Sequence, residues 1–243
     1  RLRFLFEWGQ REHLFMLSYW PFFLLRYLRW QQLSMPPWLA IPVGAIAGCG
    51  MCLKPYFFIP AILTELYWLT QSKEHPIRPF FKVEIAAAAT VAVLYTLHFK
   101  LLSAAEQHAY FDLLMPLTIS GYKFFERSTV YLCNYNFTCS EDVLIHSLCC
   151  AALTFALVRL EPFLAPVCVV MFSSYFIYFI QGKGFPLHLF PLNQSAFILQ
   201  NIIVIALYKT IKEQVAQTRL FNQSHLGGKK WLIGSLALAA LTA

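Results

Sequence analysis

Residues 38–70 read WLAIPVGAIAGCGMCLKPYFFIPAILTELYWLT, 33 residues holding one lysine and one glutamate. As one straight helix at about 1.5 Å per residue, the run would be about 50 Å long, against a bilayer hydrocarbon core of about 30 Å. It has to break, and Leu53-Lys54-Pro55 is the place. Proline removes a helix hydrogen bond, and the lysine ammonium seeks water. The spacing predicts two short spans meeting at a Lys-Pro turn; a single kinked, tilted helix is the rival.

The pattern recurs along the chain. Apolar runs occupy 13–29, 38–53, 55–70, 83–101, 142–158, 162–180 and 195–209, and another starts at 231. Of the 243 residues, 58% are hydrophobic and 13% charged, with a mean hydropathy of +0.56. Soluble domains carry about 25% charge. The expectation is an all-α polytopic membrane protein, a bundle of seven or eight transmembrane helices forming one transmembrane domain over 1–243. The chain opens on Arg1 and closes inside the apolar WLIGSLALAALTA, which reads as a fragment cut at both ends. Within it, 102–141 mixes aromatics with a few charges and reads as an external interfacial loop, one or two helices lying in the interface.

The net charge of +7 does not point to nucleic acid, because the Lys and Arg sit in short loops between apolar runs rather than on a basic domain. Loops of that kind set orientation. Alternation of the spans puts 30–37, 71–82, 159–161 and 210–230 on one side, here side A. Residues up to 12, the turn at 54, 102–141 and 181–194 fall on side B. Side A carries eleven of the nineteen Lys and Arg, which predicts that it is cytoplasmic.

Side B keeps its charges in short motifs beside span ends. Gly9-Gln10-Arg11-Glu12-His13 opens a helix. Glu12 suits the positive end of the helix dipole, but Arg11 and His13 at the same depth ask for more: the trio can bind a sugar or an anion, or move a proton. Lys54-Pro55-Tyr56 places an ammonium at the membrane edge, where it either snorkels or meets a phosphate. In Gln181-Gly182-Lys183-Gly184, with His188 five residues after the lysine, glycines let the backbone approach an anion. The spacing of a Walker-type loop is absent. Asp112, Glu126, Glu141 and Asp142 are further carboxylates on side B. His98, His146 and Glu65 lie in spans and read as interhelical polar contacts. Cys49 and Cys52 form a C-x-x-C inside a span and read as packing; Cys133 and Cys139 share a polar loop and can pair only in an oxidising compartment.

Taken together, the order G-Q-R-E-H, then AIAGCGMCLKPYF, then Q-G-K-G-x-x-x-H resembles a group of bacterial polytopic proteins allied to the GT-C superfamily of membrane glycosyltransferases, with mannosyltransferase-like and aminoarabinose-transferase-like members. In that group the last motif commonly reads Q-G-K-G-W-x-Y-H; here Phe185 and Leu187 stand at its aromatic positions. The resemblance spans about Gly9 to Pro191. It implies a GT-C-like fold in a bacterial inner membrane and transfer of a hexose or pentose from a polyprenyl-phosphate-linked donor at the periplasmic face. The partners it implies are the bilayer and the lipid-linked sugar. It also implies a catalytic carboxylate in a first external loop, upstream of Arg1, with Glu12 as the candidate within this chain. The substrate-binding candidates are Gln10, Arg11, His13, Lys54, Tyr56, Gln181, Lys183 and His188. No cofactor is called for and no metal ligands stand out, which leaves a divalent ion open. The alternative is a transporter or flippase for a lipid-linked or anionic solute that uses the same basic residues without chemistry.

Overall fold

The computed structural model describes residues 10–71, 78–132 and 143–224. Among these residues every regular element is helical. The break expected at the Lys-Pro turn is present. Helix α1 is Arg11–Trp30 and α2 is Pro37–Cys52, with Pro37 at its first turn. Lys54 is extended (φ −151°, ψ 140°), and Pro55–Phe57 form a 3-10 turn that leads into α3, Phe58–Gln71. The chain reverses there. Gly50 faces Ser18 and Lys54 reaches Glu12, so α2 runs antiparallel to α1. Phe57 stacks on Phe15, Tyr19 meets Thr64 and Phe23 meets Trp68, so α3 runs parallel to α1. The single kinked helix is thereby excluded.

Helix α4, Val83–Leu101, lies along α2. A Cβ built on Gly44 would stand 2.2 Å from the Glu84 carbonyl oxygen, and one on Gly48 2.8 Å from that of Ala88. The two backbones touch, the close packing that small residues four apart allow in membrane bundles. Gly44→Val forces them apart, and we expect it to lower stability by about 1–3 kcal/mol, read as a fall in the thermal midpoint of the detergent-solubilised protein.

Ser103 then starts a new helical stretch. Its hydroxyl accepts from the Glu106 N–H, and the Glu106 carboxylate accepts from the Ser103 N–H, a reciprocal cap. The stretch runs as α5 (Ala104–Gln107), a π-helical segment (His108–Leu114) and α6 (Met115–Phe124). The part of 102–141 that is described is thus mostly helix, as the one or two helices expected there require, with Leu113, Leu117 and Phe124 exposed along it. Helices α7 (Val143–Leu157), α8 (Leu164–Gln181) and α9 (Phe190–Ser224) complete the order. Phe163, just before α8, packs on Phe23 and Tyr27, while Gln181 at its far end meets Lys54. Helix α9 returns, with Phe190 beside His13 and Lys209 3.6 Å from Glu161.

The core is an aromatic seam along α1. Phe15, Tyr19, Phe22 and Phe23 are all but fully buried against Phe57, Trp68, Met171 and Tyr178. Three helical stretches are long and apolar enough to cross a membrane: Val83–Leu101, Leu164–Gln181 and Leu187–Val215. Helix α1 has the length but carries Arg11, Glu12, Arg26 and Arg29. At 16, 14 and 15 residues, α2, α3 and α7 reach only about 21–24 Å, short of the hydrocarbon core. The apolar run from 231, Cys133, Cys139, Glu141, Asp142 and the side chain of His146 lie outside the described residues.

Candidate functional site

Two polar clusters sit at opposite ends of α1. Fourteen residues separate Glu12 from Arg26, about 21 Å along the helix.

The side-B cluster draws on three distant segments. Glu12, 1% exposed, accepts a short contact from Lys54 Nζ. Lys54 also donates to Gln181 Oε1 at 3.1 Å. An ammonium can only donate, so the Gln181 amide turns its oxygen to Lys54 and its Nε2 away. Glu12 Oε1 lies 3.7 Å from His188 Nε2. Gln181 and His188 are 7% and 6% exposed, and Gln181 Nε2 and His188 Nδ1 are buried without a hydrogen-bond partner among the described residues. Leaving such atoms unpaired costs about 1–3 kcal/mol each.

The turn carrying Gln181 and His188 is shaped by its glycines. Gly182 (φ 65°) ends α8 in the left-handed conformation that a glycine C-cap supplies, and Gly184 (φ 68°) repeats it. Pro186 starts a 3-10 turn that presents His188. The Gly182 carbonyl accepts from the Arg127 N–H at 2.7 Å, tying the interfacial segment to the turn.

Lys183 does not join the buried cluster. Its Nζ stands 3.4 Å from the centroid of the Tyr122 ring. Burial pushes its ammonium below the usual lysine range; Tyr122 opposes this and the Lys54 charge adds to it. Arg11 and Lys183 are near enough for their charges to act on His188. Lys54, Lys183 and Arg11 thus all act on His188, and Glu12 turns to Lys54 and not to Arg11.

The other candidates scatter. Gln10 and Arg11 are exposed at the helix start, Tyr56 is half-buried in the 3-10 turn, and His13 packs its ring on Phe190 at 5.0 Å. Asp112 pairs with His108 on its own exposed turn at 2.7 Å. Glu126 lies within electrostatic reach of Lys183. His98 is exposed and meets the Tyr95 carbonyl of its own helix, so it is not the interhelical contact expected of it.

The side-A cluster is an ion network. Arg26, fully buried, holds Glu65 in a two-pronged pair at 2.6 and 2.9 Å and donates to Glu84 at 2.8 Å. Arg29 also donates to Glu84, and Trp30 Nε1 donates to Glu65 at 3.0 Å. Two cations meet two carboxylates, and the network ties α1 to α3 and α4. The interhelical role expected of Glu65 is met, but its partner was missed. FFLLRYLRW carries Arg26 and Arg29 inside an apolar helix, Glu65 and Glu84 sit in apolar runs of their own, and buried charges must pair. That was the available signal.

An apolar cleft of about 280 Å³ opens beside this network, lined by Phe22, Met51, Phe58, Ile62, Phe80 and Ile85 among others. Among the described residues no three His, Cys, Asp or Glu side chains gather as a metal site. In comparisons with known proteins, no family model matches the chain. Neither a curated protein nor a solved structure is significantly similar to it.

Proposed function

We propose that the side-B cluster binds the phosphate of a polyprenyl-phosphate-linked sugar and that the protein transfers this sugar to an acceptor. The observation that carries the reading is the surplus of donors. Lys54 spends two of its three N–H groups on Glu12 and Gln181. The third N–H, Gln181 Nε2 and the Lys183 ammonium remain, with a histidine nitrogen beside them. A site rich in N–H donors and net positive calls for a ligand made of acceptors and negative charge, and phosphate is that ligand. A departing phosphate gathers charge as the glycosidic bond breaks, and fixed cations stabilise that charge most in the transition state.

In this reading Glu12 orients Lys54 and His188, its carboxylate being taken up by the ion pair. Deprotonation of the acceptor belongs to another carboxylate. Helices α1, α2, α3 and α7 cross the membrane together with the three long apolar stretches, with Glu12, Arg26 and Arg29 of α1 turned inward and Arg11 at its exposed end. That makes the bundle polytopic, with seven spans in the described part. Removing the internally engaged Arg26 and Arg29 from side A, and Lys54 and Lys183 from side B, leaves nine Lys and Arg against six, which supports a cytoplasmic side A and a periplasmic site in a bacterial inner membrane. The apolar cleft offers room for a stretch of hydrocarbon chain.

The test is transfer of radiolabelled sugar from a polyprenyl-phosphate donor by membranes holding the full-length protein. Lys183→Ala removes one charge-assisted contact, worth about 1.5–3 kcal/mol, and we expect transfer to fall about ten- to 150-fold. Full transfer by Lys183→Ala would sink the phosphate assignment of that residue. Donor movement across the bilayer without transfer would favour a flippase, for which the broken helix at Lys54 is also suited.

A further inference from the structure

The Lys183 ammonium stands over the Tyr122 ring rather than over the site, and the segment that supplies the ring is bound to the same turn at two further points. The Arg127 N–H donates to the Gly182 carbonyl at 2.7 Å, and Phe125 packs against Phe185 at 5.8 Å between ring centroids. N–H groups turned to the ring are not turned to a ligand anion, so ring and anion compete for the Lys183 ammonium. We propose that Tyr122 is a positioning residue that parks Lys183 over its ring, and that a phosphate group displaces the ring as the partner of Lys183. The inference rests on the phosphate reading above and names what that ligand must compete with.

Several observations fit this arrangement. Tyr122 is 40% exposed, so its ring is held by the lysine and the turn rather than by a core. The glycines at 182 and 184 fix the backbone on either side of Lys183 in the left-handed region, so the side chain can swing without remodelling the turn. Burial already disfavours the Lys183 charge, and the nearby Lys54 charge does so too. A cation in that setting gains from whichever partner, ring or anion, is at hand. Phosphate makes a charge-assisted contact and the ring a weaker one, so displacement runs downhill.

The test uses the full-length protein in nanodiscs and an amine-acylating reagent, with labelling of the Lys183 peptide followed by mass spectrometry. A cation–π contact near the surface is worth about a two- to fivefold factor. Tyr122→Phe should label Lys183 at the wild-type rate, Tyr122→Leu about two- to fivefold faster, and Tyr122→Trp more slowly. Farnesyl phosphate should slow labelling in every variant, with half-protection at a two- to fivefold lower concentration for Tyr122→Leu. A merely structural role for the ring predicts equal or weaker protection in Tyr122→Leu, and that result overturns the proposal. Inorganic phosphate is the second arm. Protection by it as well as by farnesyl phosphate assigns the contact to the phosphate alone, and protection by farnesyl phosphate only assigns it to the lipid-linked form; the proposal stands in both cases if the Tyr122→Leu shift is seen. If neither ligand protects while Tyr122→Leu still labels faster, the ring's hold on Lys183 is real but the phosphate reading falls, and displacement falls with it.

Discussion

Arg26→Met lowers the unfolding free energy by about 3–5 kcal/mol, the largest loss expected from any single substitution in this chain. Arg26 is fully buried and is the shared partner of Glu65 and Glu84. Among the described residues, removing it leaves Glu65 with the Trp30 N–H and Glu84 with Arg29. A buried carboxylate without its cation must protonate or draw in water, and either weakens the joint between α1, α3 and α4. Thermal unfolding of the detergent-solubilised protein measures the loss. Adding Glu65→Gln to Arg26→Met removes one uncompensated charge and should recover part of it. The network lies about 21 Å from the side-B cluster along α1, so transfer per folded molecule should stay near the wild-type value. Loss of transfer in molecules that remain folded would place the side-A network within the functional site.

Lys54→Met has the second large effect, and it acts twice. It strips Glu12 of its cation, leaving the imidazole of His188 at 3.7 Å in place of an ammonium, and so destabilises the fold by a similar mechanism. In the proposed transfer it also removes a donor to the departing phosphate, which for a charge-stabilising group costs about 10²–10³ in rate. The two effects separate in the double variant Glu12→Gln/Lys54→Met, where neither member of the ion pair is left without the other. Its melting temperature should return towards wild type while transfer stays at least about 100-fold down. Recovery of both together would show that Lys54 serves the fold alone.

Much of the architecture can be read from residue types. Lys54-Pro55 breaks the 33-residue run where length, proline and charge all require it. The alternation of spans places Glu12, Lys54, Gln181 and His188 at one end, and they meet there. The apolar pattern is weaker on span number, since a hydrophobic run of 14–16 residues has the composition of a span without its full length. Counting Arg26 and Arg29 as orientation charges overlooked that a guanidinium inside an apolar helix needs a carboxylate from another helix. The stacking of Lys183 on Tyr122 joins residues 61 apart in sequence, and no periodicity reports such a pairing. Sequence likewise offers no sign that Glu12 chooses Lys54 over its neighbour Arg11; helix geometry decides that, turning Glu12 into the bundle and Arg11 outward.

The most direct test of the central claim is equilibrium binding of a polyprenyl phosphate to the full-length protein in nanodiscs, with the uncharged polyprenol as control. Wild type should bind the phosphate at least about tenfold more tightly than the alcohol, and Glu12→Gln/Lys54→Met, folded but stripped of the ion pair, should lose that preference. Equal affinity of wild type for phosphate and alcohol, or an undiminished preference in the double variant, would contradict an anion site built on Lys54.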